Sequence, residues 1–195
     1  MEIGRIVMAN SHLDYVAQVY GPSEAAAVPA PEDFSFGTFT LIRAGERDGD
    51  GLVAVVYDTL LVNPDFGRQG PRLSPPGDVG VFAPDYLNEQ ATLVGLAVLG
   101  RCQDGAYAQG VSRVAAQANA PVDTMDDAAF ARFHRDGSGV ALRYAPILQA
   151  QGKLLLSELL QQVVRRLEGA FPARAEHLRT LRANLLWQSR VEAQR

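Results

Sequence analysis

The stretch Gly51-Leu-Val-Ala-Val-Val-Tyr57 decides the fold. It is rich in β-branched residues and carries no charge. It lies between an Asp/Gly turn and Asn63-Pro-Asp-Phe-Gly67, so it reads as a strand. Val53, Val55 and Tyr57 fall on one face, and Leu52, Ala54 and Val56 on the other. A strand wetted on one side alternates apolar with polar residues. This one is apolar on both sides, which predicts cover on both. Thr92-Leu-Val-Gly-Leu-Ala-Val-Leu99 has the same property. The two strands are expected to form a wall, with the lining of a closed barrel on one flank and packed helices on the other.

Upstream of the wall, Gly4-Arg-Ile-Val7 opens a first strand, Asn10-Ser11-His12 is a turn, and Asp14 to Tyr20 is a second strand. Residues 21–33 form a loop. Gly37-Thr-Phe-Thr-Leu-Ile-Arg43 alternates Phe39 and Leu41 with Thr38 and Thr40, which predicts a half-exposed strand. Asp48-Gly49-Asp50-Gly51 is a hairpin turn that leads antiparallel into the central strand. Downstream, residues 62–90 hold nine prolines and glycines that forbid continuous regular structure. The apolar residues Phe66, Leu73, Val79, Phe82, Tyr86 and Leu87 predict that this long connection is ordered against the barrel.

Beyond Cys102 the period changes. Residues 112–119 read as a short helix. Thr124 with Asp127 three residues on makes a capping-box pattern for a helix ending near His134. Val140 to Tyr144 reads as a short strand ended by Pro146. From Lys153 to Glu168, the residues Leu155, Leu156, Leu159, Leu160, Val163 and Leu167 form a stripe of helical period. Gly169 suits its C-cap, and Pro172 the first turn of a last helix running to about Val191. The short link predicts an antiparallel hairpin. On the last helix Leu178, Leu181 and Leu185 share one face, while Thr180, Ala183, Trp187 and Val191 fall nearly opposite. A helix apolar on two sides is sandwiched. Either Trp187 packs under the 62–90 connection, or it belongs to a subunit or partner interface, where tryptophan is enriched. The fold class is therefore α+β: a small antiparallel β-barrel over residues 1–102, then an α-helical region over 103–195 ending in a hairpin packed on the barrel.

Composition bounds the function. The chain has 195 residues, 47% hydrophobic and 21% charged, which is ordinary for a globular protein. No apolar run approaches the roughly 20 residues that span a bilayer. The start, Met1-Glu-Ile-Gly-Arg5, lacks a signal-peptide pattern, and Cys102 is the single cysteine. Together these predict a cytoplasmic protein with no membrane association. Charge is unevenly placed. Residues 165–195 carry seven arginines against three glutamates, +4, which leaves −8 for the rest of a chain of net charge −4. Such a basic end reads either as a nucleic-acid surface or as the solvated, ion-paired side of amphipathic helices.

The order of the first hundred residues carries a resemblance. Gly4-Arg-Ile-Val7, a second strand containing aromatics, Gly37-Thr-Phe-Thr-Leu-Ile-Arg43, a Gly/Asp hairpin and Gly51-Leu-Val-Ala-Val-Val-Tyr57 together resemble the HAS barrel. That small β-barrel is shared by HerA-type DNA-translocating ATPases and the N-terminal crown of ATP synthase subunits. The resemblance implies an assembly and docking module, with a HerA-like ATPase or a second copy as partner, and a link to DNA processing and repair. The chain departs from the family in its long 62–90 connection and in having no ATPase. Its Gly152-Lys153 pair is followed by Leu154 and has no glycine five residues before it, so it is no phosphate-binding loop. The resemblance thus implies a stand-alone, non-enzymatic relative without a cofactor.

No catalytic or metal-binding set emerges from the residues. His12, His134 and His177 lie in separate elements, and each reads as a surface or turn residue. No Gly-x-Ser-x-Gly is present, and Cys102 reads as an apolar filler at a strand end. Asp48 and Asp50 belong to a turn, and Asp126 and Asp127 to a helix N-terminus. The candidate partner-binding residues are Phe66, Arg68 and Arg72, on a Pro/Gly loop suited to an acidic partner or anionic ligand, together with Trp187 and Val191 on the last helix.

Overall fold

The structure, a computed structural model, describes residues 1–22, 24–45, 47, 49–62, 91–137, 139–151 and 155–192. Six strands close an antiparallel barrel: β1 (Glu2–Ser11), β2 (Asp14–Val19), β3 (Phe39–Arg43), β4 (Gly51–Val62), β5 (Ala91–Gln103) and, after the short β6 (Ala106–Gln109), β7 (Pro121–Thr124). Around the barrel the order is β2-β1-β7-β3-β4-β5, and β2 pairs with β5 to complete the ring. β6 hairpins onto the end of β5 outside this closure.

The wall has no wet side. Leu52, Ala54 and Val56 of β4 and Val94, Leu96 and Val98 of β5 line the barrel, with Ile3, Ile6, Tyr15, Ala17, Val19, Ile42 and Val122 from the other strands. Val53, Val55, Ala97 and Leu99 face outward into a second core built with the helices. β4 bulges at Tyr57, where Val56 pairs with Leu96 and Asp58 with Gly95. The bulge sends the Tyr57 ring across β5, and its hydroxyl donates to Asp14 Oδ1 of β2 at 2.7 Å. Gly95 permits this crossing, because a Cβ there would stand 2.8 Å from the ring. Gly4 serves a related purpose, since a Cβ there would sit 2.0 Å from the Gln18 carbonyl oxygen of the neighbouring strand.

The outer core is covered by α1 (Asp127–His134), α2 (Ala145–Ala150), α3 (Leu156–Ala170) and α4 (Ala175–Glu192), with a 3-10 turn at Pro172–Arg174 before α4. α3 buries Leu159, Leu160, Val163 and Leu167 there, as its helical stripe predicts, together with Val164, while Leu156 is half-buried and Leu155, placed before the helix as its N-cap, is exposed instead of joining the stripe. α4 packs antiparallel beside α3 and adds Leu178. The architecture is the expected one, a small antiparallel barrel carrying a helical hairpin on its outer wall.

Several local expectations are corrected. The barrel does not end at residue 102. Its sixth strand, β7, pairs with β1 on one side and β3 on the other, so closure needs the chain through Thr124. Residues 112–119 are not a helix. They cross one end of the barrel, where Tyr15 Oη accepts from the Ala116 N–H at 3.1 Å and Ala116 packs on the lining. A run this short has little helical stability of its own, so its tertiary partners decide its conformation. β3 is buried on both faces rather than half-exposed, with Phe39, Thr40 and Ile42 all inaccessible. The N-cap of α1 is Asp126, whose carboxylate accepts from the Ala129 N–H at 2.7 Å, and not Thr124, which is the last residue of β7. Only a two-residue strand forms at Gly139–Val140, and Pro146 opens α2 instead of ending a strand, in keeping with proline's preference for a first helical turn. Gly169 lies inside α3, whose cap is Phe171.

Candidate functional site

The two faces of α4 have different fates. Leu178 is buried in the outer core, and Leu181 and Leu185 pack against it half-buried. Thr180 and Ala183, nearly opposite, are exposed, and Trp187 is 67% exposed. Of the five candidate partner-binding residues, Trp187 is the one whose side chain is described. Val191 lies in the last turn of α4, with its side chain outside the described residues. Phe66, Arg68 and Arg72 lie outside them altogether, as does the 63–90 connection.

Three arginines of the basic end, Arg166, Arg179 and Arg182, are ion-paired within the fold. Arg166 of α3 donates to Asp127 at 2.7 Å and lies 4.1 Å over the Phe130 ring. Glu168 is shared by Arg182, at 2.7 Å, and Arg179, at 3.8 Å. These arginines fasten α3 to α1 and to α4. A second ion-paired clasp ties β1, β3 and β7: Arg43 makes two bonds to Asp123, at 2.6 and 2.8 Å, and reaches Glu2 at 3.3 Å.

His134 corrects the expectation of a surface histidine, because it is fully buried. It ends α1 inside a ring of aromatics, with Phe39, Phe130, Phe133 and Tyr144 all in contact. Its Nδ1 lies 2.8 Å from the Phe130 carbonyl, which can only accept, so Nδ1 carries the hydrogen. Nε2 then accepts from the Tyr144 hydroxyl at 2.8 Å. Burial is the main force that lowers the His134 pKa, from 6.5 to about 4, and the nearby Arg166 charge acts in the same direction. Burial also pushes the Tyr144 hydroxyl up, so both groups are neutral at pH 7. The pair is a neutral hydrogen-bonded strut between α1 and the start of α2. The sequence signal that could have found it is the Phe130-x-x-Phe133-His134 spacing, which puts His134 on the apolar side of α1.

A cavity of about 390 Å3 opens at the barrel end between the β3–β4 and β5–β6 turns. Arg101 pairs directly opposite Leu52, so its side chain shares the lining face and projects over the mouth. Arg47 is ion-paired to Asp104, and Asp50 accepts from the Asp104 N–H at 2.7 Å. Cys102 borders this cavity but is buried, and burial raises its thiol pKa, which keeps it protonated and unreactive. Among the described residues no three His, Cys, Asp or Glu side chains are placed to hold a metal ion, and no helix is long and apolar enough to cross a membrane.

The sequence from residue 1 to 194 matches the model of one protein family. The chain belongs to that family, described as a domain of unknown function (DUF8166). No curated protein matches it.

Proposed function

We propose, starting from membership in a family that carries no assigned activity, that this chain is a non-enzymatic docking or assembly module of the HAS-barrel kind. It would work in the cytoplasm beside a protein partner, either a HerA-like DNA-translocating ATPase or a second copy. One observation carries the reading. α4 is fixed in the core by Leu178, Leu181 and Leu185, and it holds the chain's only tryptophan, 67% exposed, on its other side. A large aromatic on a rigid helix is the kind of anchor that dominates protein interfaces, and it binds with little loss of conformational freedom. The absorption of Arg166, Arg179 and Arg182 into ion pairs favours a protein partner over nucleic acid.

The test is purification of the tagged intact chain from its native cell, with and without Trp187→Asp, followed by identification of co-purifying proteins. A stoichiometric partner retained by the wild type and lost by the variant is expected. Identical sets from both overturn the reading. Retention of DNA that weakens steeply with salt and ignores Trp187 would favour the nucleic-acid alternative.

A further inference from the structure

The cavity at the barrel end has fixed walls and two charges left over. Ser112, buried on the segment that crosses the barrel end, accepts from the Val114 N–H on its hydroxyl at 3.1 Å and from His12 Nε2 on its carbonyl at 2.6 Å. The Arg47–Asp104 ion pair clasps the β3–β4 turn to the β5–β6 turn. Arg101 is exposed and makes no hydrogen bond or ion pair among the described residues. Asp50 is half-buried and makes no ion pair among them. Its Oδ1 accepts from the Asp104 N–H, which leaves Oδ2 open. Arg101 stands opposite Leu52, and Asp50 lies two positions before Leu52, so all three share a face and line the cavity. The two charges are then diagonal neighbours, their backbones roughly 7–8 Å apart. They are opposite in sign and close, yet they form no ion pair with each other.

We propose that this cavity binds a small zwitterion of the α-amino-acid class, with its carboxylate on Arg101 and its ammonium on Asp50 Oδ2. A guanidinium presents paired N–H groups that match a carboxylate in shape and charge. An ammonium carries three donors and no acceptor, so it suits the open carboxylate oxygen. Charge balance narrows the class. The lining holds two arginines and two aspartates, Arg47, Arg101, Asp50 and Asp104, which sum to zero. A zwitterion preserves that balance and answers both unpaired groups at once. A plain anion leaves Asp50 unanswered and beside a like charge, and a polyphosphate sets several negative charges against Asp50 and Asp104. The volume, about 390 Å3, lies in the range of small-molecule sites. Leu52 and the half-exposed Val114 add apolar surface for a short side chain. The inference stands apart from the docking reading, which uses α4.

The experiment is an amide NMR titration of the intact chain with each standard L-amino acid in turn. At least one should shift the amides of residues 44–52 and 101–104 saturably, with a Kd below about 1 mM. For that amino acid, the analogue lacking the ammonium and the analogue lacking the carboxylate should each bind at least about tenfold more weakly, since each gives up one charged hydrogen-bonded contact. Arg101→Gln and Asp50→Asn should each weaken the amino acid by a similar factor. Asp50→Asn keeps an oxygen for the Asp104 N–H, and the amide spectrum itself shows whether either variant is folded. Trp187→Asp should bind as the wild type does. Three results overturn the inference: no amino acid binding below about 1 mM, an ammonium-free analogue as tight as its parent, or binding that survives both cavity variants. None of them touches the docking reading, which falls only if partner capture ignores Trp187.

Discussion

The two cores on either side of the β4–β5 wall are built from different materials. Inside the barrel the lining is mostly aliphatic, with Ile3, Ile6, Val56, Leu96 and Val122 among its members and Tyr15 its one fully buried ring among the described residues. Outside, beneath the helices, Phe39, Phe130, Phe133 and Tyr144 surround a buried histidine. The closed six-stranded ring leaves a narrow lumen that only branched and small side chains fill. The gap between a sheet and a helical layer takes whole rings, and there Phe39 meets Phe130 edge-on at 4.9 Å between centroids. The lumen satisfies its polar groups locally: at the mouth Tyr15 accepts from the Ala116 N–H, and the buried Thr40 hydroxyl donates to the Ala54 carbonyl at 3.5 Å. The outer core satisfies its own internally, by pairing His134 with Tyr144. The difference teaches where sensitivity lies: the inner core answers to volume, and the outer core to volume and to proton concentration.

Truncation of a ring gives the largest effect. Phe130→Ala should cost about 3–5 kcal/mol in urea denaturation, and Leu96→Ala, on the lumen side, about 2–5 kcal/mol. Because the wall is common to both cores, each variant should lower one cooperative transition seen alike by helical and tertiary signals. A loss below about 1 kcal/mol for Phe130→Ala would mean that the helices rest on the barrel without sharing its core.

Acidification comes next and acts on one core alone. The unfolded chain takes up a proton at His134 near pH 6.5, but the folded chain only near pH 4. Between these values the unfolded state binds more protons, so stability present above pH 6.5 is lost as pH falls toward 4. The full loss is about 3 kcal/mol. His134→Gln should flatten the dependence of midpoint on pH over this window while leaving carboxylate effects in place. An unchanged slope in that variant would remove His134 from the account.

The smallest effect is a gain. Gln151, the C-cap of α2, has a buried side-chain amide whose nitrogen and oxygen both lack a hydrogen-bond partner among the described residues. Gln151→Leu should stabilise the protein by about 1 kcal/mol, measured as a raised denaturation midpoint, because it removes a desolvated polar group without breaking a bond. A destabilised variant would place an unseen partner on that amide.

Much of this fold is legible in single elements. The absence of a wet side on residues 51–57 and 92–99, most of the stripe of α3 and the inward side of α4 are periodic signals that survive in the structure, whereas Thr180, Ala183 and Trp187 on the other side of α4 are exposed. Of the candidate partner-binding residues, the sequence reached Trp187 by the same period but left open whether the tryptophan was covered. β7 escaped because four residues, Pro121-Val-Asp-Thr124, are too few to display a period. His134 escaped because its spacing from Phe130 and Phe133 marks the apolar side of α1 but not how deeply that side is covered.

By itself the sequence determined which faces turn away from water, since that depends only on the spacing of apolar side chains along a helix or strand. Tertiary structure alone decided what meets those faces: that β7 returns between β1 and β3 to close the ring, that residues 112–119 trade a helix for Tyr15, and that His134 gives up its charge. Those outcomes depend on hydrogen bonds between residues as much as a hundred positions apart and on the low dielectric of a core that exists only once assembled.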